Sequence, residues 1–485
     1  MSEHVEIRSG VYRDSVALLQ VSKHVAAVAG VEAAIIAMAT ELNLDLARQM
    51  GFTGLDAAEP ADLLIAIRCG DDVLETALTE MEGAMASSPS VAASSLEVPA
   101  HTVGAALRRA DEATLVLLSV PGAHVLPEAL DALEAGRSVM IFSDNVPIAH
   151  EVLLKELAAQ RGLLVMGPDC GTAIVGGVAL GFANVVRRGD VGIVAASGTG
   201  AQQLACLLDH AGIGISQLIG VGGRDLRAEV AGRSTIQALS ALDADPGTTD
   251  IIVVSKPAPA EVTHAVRAVA ERLSTRVTFC VLGPGQPTMS DTVSSLVQSR
   301  HGTSPKWPAV GVREQQPRAG RLSGIYSGGT LADEAMVIAS SRLGEVRSNI
   351  PLSPGLLIGP NERASTHVVI DYGDDELTRG RPHPMIDPSI RLERIAMDAA
   401  DPSCAVILLD VVLGHVADPD PAATLAPALR AAGKPVIVSL IGTEADPQHW
   451  SRTAEALADA GAEVYLSNAQ ATARAVDLVA EGTVA

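Results

Sequence analysis

Aromatic side chains are almost missing from this chain: four Phe, four Tyr and two Trp in 485 residues. A core of this length must then be built from Ala, Val, Leu and Ile, which suits parallel sheets buried on both faces. Cysteine is scarce as well. Cys69, Cys170, Cys206, Cys280 and Cys404 are odd in number, far apart and without CxxC spacing. That pattern excludes a disulfide framework, gives no zinc site and points to a reducing, cytoplasmic setting. Positive charge is in deficit, with 35 Lys and Arg against 57 Asp and Glu and a formal net charge of −22. Nucleic acid and anionic membrane surfaces are poor partners for such a chain. An anionic small-molecule substrate would have to be held by local dipoles and a few cations. No apolar run approaches the roughly 18 residues of a membrane span, and no basic-then-apolar leader opens the sequence.

What is present is a chain 48% hydrophobic and only 19% charged. Its length predicts three or four domains at about 150 residues each. Residues 1–88 alternate strand and helix in a β-α-β…β-α order that predicts an ACT- or ferredoxin-like module, an assembly or docking domain by default. A Ser- and Pro-containing stretch at 86–95 reads as a linker. Residues 100–187 read as a Rossmann-like domain and 188–300 as a second α/β unit. A second linker at 301–317 leads to a third unit at 319–485. Short Val, Leu and Ile runs ending in Gly, Asp or Thr loops predict parallel sheets in a flavodoxin-like arrangement. The fold class is multidomain α/β.

In open parallel sheets ligands bind beyond the carboxyl ends of the strands. The stretch Ile193-Val-Ala-Ala-Ser-Gly-Thr-Gly200 passes from a buried strand through a small-residue turn into a helix. Ser197, Gly198 and Thr199 can present unpaired N–H groups and a partial positive charge to an anion. Ser327, Gly328, Gly329 and Thr330 repeat the pattern about 130 residues later. Neither turn has the Gly-Lys-Ser/Thr ending of a nucleoside-triphosphate loop. Gly222, Gly223, Arg224 and Lys256 lie at other predicted strand ends and join the candidate anion site. Cys170 follows another strand end, either as a buried thiol or as a ligand contact. Asp410 and Glu444 place carboxylates at strand ends where chemistry or helix capping can use them. The loop from Tyr372 to Met385 combines three acids with Arg379, Arg381 and His383 between prolines. The arginines suit bidentate contact with a carboxylate or phosphate, and His383 could move a proton near neutral pH. Asp374, Asp375 and Glu376 lack the spacing of metal ligands.

These motifs carry a resemblance. Gly167-Pro-Asp-Cys-Gly171, Gly189-Asp-Val-Gly-Ile-Val-Ala-Ala-Ser-Gly-Thr199 and Gly220-Val-Gly-Gly-Arg-Asp225 resemble the alpha subunit of succinyl-CoA synthetase. Tyr326-Ser-Gly-Gly-Thr330, Asp371-Tyr-Gly-Asp-Asp-Glu-Leu-Thr-Arg-Gly-Arg-Pro-His-Pro-Met-Ile-Asp-Pro388, Leu409-Asp-Val-Val-Leu-Gly414 and Gly442-Thr-Glu-Ala-Asp-Pro-Gln448 resemble the FdrA family, relatives of CoA ligases. The resemblance implies a CoA-binding domain at 100–187, an alpha-type ligase domain at 188–300 and a beta-type one at 319–485. It implies that the two Ser turns converge on one travelling phosphate, and that the chain works in an oligomer with companion subunits. CoA or bound phosphate is the cofactor it allows. In CoA ligases a histidine carries the phosphate in the loop after the strand matching 277–282. Here that loop is Gly283-Pro-Gly-Gln-Pro-Thr-Met-Ser290, with no His. No ATP-grasp domain is present. The expected function is therefore an FdrA-type subunit that transfers a carbamoyl or acyl group, as between carbamoyl phosphate and oxamate. The alternatives are an acyl-CoA synthetase subunit binding CoA, and a non-catalytic scaffold.

Overall fold

The computed structural model describes the whole chain except residues 1, 10, 12, 14, 56–57, 60–61, 88–99, 361, 363–364, 379–381 and 480–485. It divides into two compact units, one of 1–99 with 378–382 and one of 100–377 with 383–485.

The first unit has a three-stranded antiparallel sheet with Leu63–Cys69 between Ser2–Arg8 and Val31–Met38. Leu63–Cys69 is buried at every position but Arg68, because both faces are covered. Leu18, Val21, Val25 and Met81 pack on one face, and Leu44, Ala47, Phe52 and Leu55 on the other. This is the α/β module expected from the alternation of strands and helices.

The second unit contains three sheets. Leu115–Leu118, Ser138–Ile141 and Val165–Met166 form a small parallel sheet. A second sheet has the order Arg276–Val281, Asp250–Ser255, Arg188–Ala195, Ile215–Gly220, Thr172–Val175, Val178–Gly181. Its first four strands are parallel, and the hairpin Thr172–Val175/Val178–Gly181 adds antiparallel. The chain thus leaves the small sheet at residue 166, not at 187. The third sheet has seven strands, in the order Ala309–Val310, Glu463–Tyr465, Val436–Ile441, Cys404–Val412, Arg321–Tyr326, His367–Asp371, Val346–Arg347. Only the Ala309–Val310 edge is antiparallel.

The parallel part of each large sheet starts in the middle and grows first to one side, then to the other. That reversal leaves a crevice at the strand ends. In the second sheet it lies between Arg188–Ala195 and Asp250–Ser255, which lead into Ser197 and Lys256. In the third it lies between Arg321–Tyr326 and Cys404–Val412, which carry Ser327 and Asp410. One aliphatic core runs through both lobes, from Ile193 and Leu204 to Leu331 and Leu409. A buried polar seam adds to it. The Asp446 carboxylate accepts from the Asn184 amide at 2.8 Å and from the Val185 N–H at 2.7 Å. Gln203 donates to the Leu466 carbonyl at 3.2 Å and accepts from the Asn468 N–H at 3.0 Å. A satisfied buried network of this kind specifies one docking arrangement of the lobes.

Candidate functional site

The strand Arg188–Ala195 is followed by the helix Gly198–His210, and Arg321–Tyr326 by Gly329–Leu343. Their N-termini meet. Ser197 Oγ hydrogen-bonds Thr330 Oγ1 across 133 residues of sequence. Gly328 faces Thr199 so closely that a Cβ added there would lie 2.6 Å from Thr199 Cγ2. Only glycine permits that approach.

The two turns differ in how their side chains are spent. Ser197 caps its own helix, its Oγ accepting from the Gly200 N–H at 3.0 Å. Ser327 is buried and turned inward: its N–H and its hydroxyl donate to Asp410 Oδ1 at 2.8 and 3.0 Å. Gly329–Leu343 therefore begins at Gly328 with no side-chain cap. Its first N–H groups remain available to an anion. Lys256 brings a half-exposed ammonium from the other lobe and pairs with Asp333 Oδ2 at 2.7 Å.

Asp371 ends the strand His367–Asp371 beside this helix. Its Oδ1 accepts from the Gly373 N–H at 2.9 Å. A Cβ on Gly329 would stand 2.7 Å from Asp371 Oδ2 and 3.5 Å from Lys256 Nζ. Burial pushes the Asp371 carboxyl up to about 7, against the pull of the Gly373 N–H and Lys256. Glu334, on the same helix, is also pushed up by burial to about 7, against the Met289 N–H and the Asn468 amide that bind it.

The remaining expected residues fall into place by environment. Asp410 supports the second turn, pairing with Arg391 at 2.9 Å beneath Ser327. His383 is half-buried against Phe182, and its Nδ1 accepts from the Met385 N–H at 3.2 Å. Burial, with Arg391 nearby, pushes its ring down to about 4, which favours the neutral imidazole. Cys170 is buried, bonded to the Thr172 and Gly220 carbonyls and raised by burial to about 12, which disfavours the thiolate. Arg224 is tied to Glu151 at 3.0 Å and to the Val146 carbonyl at 2.8 Å. Gly222 and Gly223 pack on Pro168 and Asp169 in the same structural corner. Glu444 is exposed and caps a helix through the Ser451 N–H, away from any strand-end chemistry. Arg379 and Arg381 lie outside the described residues.

Sequence reading passed over Asp371, Asp333 and Arg391 as site residues. Asp371 carried the same signal as Asp410, an acid closing an apolar strand. Asp333 and Arg391 carried none, because both sit within helices and reach their partners through tertiary packing.

The family described as "CoA-ligase" matches residues 325–478, and the one described as "AllF, heavy metal-associated domain" matches residues 1–99. The described residues among the first 99 do not fit a heavy-metal site. Their one thiol, Cys69, is buried in a central strand and raised by burial, and His4 and His24 pair with Glu6 and Glu80. Among the described residues no cluster of His, Cys, Asp or Glu is arranged for a metal. The chain is 35% identical to the uncharacterized protein YahF of Escherichia coli K12, over 99% of both chains. It is 30% identical to a mitochondrial succinate–CoA ligase [ADP-forming] subunit alpha-2 of Trichomonas vaginalis, over 31% of this chain and 48% of the relative. The chain thus spans about half the length of that ligase subunit. A dinucleotide-forming acetyl-coenzyme A synthetase 1 from Ca. Korarchaeum cryptofilum, solved with phosphate and ADP, superposes with a TM-score of 0.30 at 16% identity, over 76% of this chain and 82% of that one. No described helix is long and apolar enough to cross a membrane.

Proposed function

The chain belongs to the family of E. coli YahF and carries a CoA-ligase domain, and from that premise we propose that it is a subunit of an acyl-CoA synthetase-like enzyme that binds a phosphate where its two Ser turns meet. The observation that carries this reading is the junction of Ser197 and Thr330, which sets two helix N-termini from different lobes against each other. Charge developing on a phosphate as it leaves an acyl carbon would be stabilised there by two helix dipoles, open N–H groups and Lys256. These groups are already fixed in place, so they need no reorganisation at the moment of reaction.

The acceptor that the relatives' names imply is CoA. The loops that would hold it follow Leu115–Leu118 and Ser138–Ile141. Their buried hydroxyl, Ser143, accepts from the Val120 N–H at 3.0 Å and donates to the Leu118 carbonyl at 3.4 Å. Such loops suit the neutral amide-containing arm of that molecule better than its phosphates. A second reading, carbamoyl transfer between carbamoyl phosphate and a small carboxylate amide, is favoured by the loop 283–290. It has no histidine to carry a phosphoryl group, so the anion would be bound and transferred directly.

Thermal denaturation with companion subunits present tests both. Phosphate should raise the melting temperature, by an amount equivalent to about 2.7 kcal/mol at a hundred times its Kd. A further shift with CoA supports acyl-CoA synthesis, and one with carbamoyl phosphate beyond that of phosphate supports carbamoyl transfer. Indifference to phosphate, to CoA and to carbamoyl phosphate would remove the site.

A further inference from the structure

We propose that Asp371 couples anion binding to proton uptake: its Oδ2, aimed at the start of Gly329–Leu343, tolerates a bound phosphate only as the neutral acid and then donates a hydrogen bond to it. This inference rests on the phosphate reading above and adds a regulator of the same site.

Asp371 is 5% exposed, and its backbone is clamped on both sides by the Asn349 side chain, at 2.9 Å to its N–H and 2.8 Å to its carbonyl. The carboxyl therefore cannot swing out to solvent with the strand end. Oδ1 is committed to the Gly373 N–H. Among the described residues Oδ2 has no hydrogen-bond partner, and it lies against Gly329, the first residue of the uncapped helix. An unpartnered carboxylate oxygen held against a helix N-terminus can accept from a donor or, if protonated, donate to an acceptor.

Charge then decides which. Lys256 favours the ionised form, but it is half exposed and already paired with Asp333. Asp410 and Asp374 face the same carboxyl and oppose ionisation, and Asp410 is itself held by Arg391. His383, next to Gly373, is neutral and adds no positive charge. Burial is the largest effect and brings the carboxyl to about 7. An ionised Asp371 would occupy the helix N-terminus as an internal anion and repel a second one. A neutral Asp371 vacates that role and supplies an O–H to the incoming oxygen. One proton moves from solvent to Asp371 Oδ2 for each anion bound above this range, and no covalent bond changes.

Sulfate is the probe, because its charge does not change between pH 6 and 9 whereas that of phosphate does. In calorimetry on the full chain, sulfate affinity should fall about tenfold per pH unit above 7.5, with close to one proton taken up per sulfate in buffers of differing ionisation enthalpy. Asp371→Asn mimics the neutral acid, so its affinity should be flat with pH, without proton uptake, and higher than wild type at pH 8.5. Lys256→Met should weaken binding at every pH while keeping the slope. Proton uptake is read on the unmodified protein, so it stands even if a variant misfolds. Wild-type binding that is flat with pH overturns the inference alone. A slope that survives Asp371→Asn and disappears in Asp333→Asn also overturns it, by moving the proton to the other carboxyl. No sulfate or phosphate binding at pH 6 overturns the phosphate reading itself.

Discussion

The turn at Ser197 and the turn at Ser327 look alike in sequence and are used differently in the fold. Each follows an apolar strand and opens a helix with serine and glycines. Ser197 spends its hydroxyl on its own helix and on Thr330, so it closes its terminus and bridges to the other lobe. Ser327 spends its hydroxyl downward on Asp410, so the helix after it starts uncapped. One turn is a strut and the other is the open mouth. The difference comes from what lies beneath: the second has the Asp410–Arg391 pair below it.

The comparison can be broken from below. Asp410→Ala should strand Arg391 as a buried, unpaired cation and release Ser327, costing about 3–5 kcal/mol of stability, read from chemical denaturation of the full chain. A much smaller loss would mean that Ser327 is not held by that pair. Gly328→Ala comes next. Its methyl group would meet Thr199, forcing the turns apart at a cost of about 1–3 kcal/mol, and sulfate affinity should drop with it. Unchanged affinity would show that the anion does not need both turns.

Ser197→Ala should cost about 1 kcal/mol as a lost helix cap and should weaken sulfate binding. Ser327→Ala removes one hydroxyl hydrogen bond while the Ser327 N–H still holds Asp410. Its cost should be of the same size, about 0.5–1.5 kcal/mol, with binding nearly intact. The reverse order of effects on binding would exchange the roles of strut and mouth. The subtlest test uses pH. Burial raises Asp371 in the folded state above its unfolded value, so its contribution to stability is full below the unfolded pKa and is lost as pH rises through about 7. Wild type should therefore lose stability relative to Asp371→Asn on going from pH 6 to pH 8, visible as diverging melting temperatures. Parallel curves would show a carboxyl that stays ionised throughout.

Much of this architecture was legible in the sequence. Apolar runs closed by Gly, Asp or Thr mark the strands Arg321–Tyr326, His367–Asp371, Cys404–Val412 and Val436–Ile441, because a strand covered on both faces has no room for polar residues until it reaches its end. The strand–turn–helix signature of both Ser turns is equally local, since it depends only on small residues followed by a helical period. Other features were decided by long-range pairing. The hairpin Thr172–Val175/Val178–Gly181 joins the second sheet through a long-range pairing with Ile215–Gly220. The partners of His383, Cys170 and Arg224 come from other segments of the chain, so residue type alone gave no sign of them.

The sequence by itself thus determined the α/β alternation, the strand ends that face the crevice and the two small-residue turns, all consequences of hydrophobic period and backbone freedom within about fifteen residues. Only the tertiary structure decided that the turns meet, that one is capped and the other open, and that Asp371 stands over the open one. Those outcomes depend on desolvation and on contacts between residues more than a hundred positions apart, as with Ser197 and Thr330, and a protonation state is set by its surroundings and not by the residue that carries it.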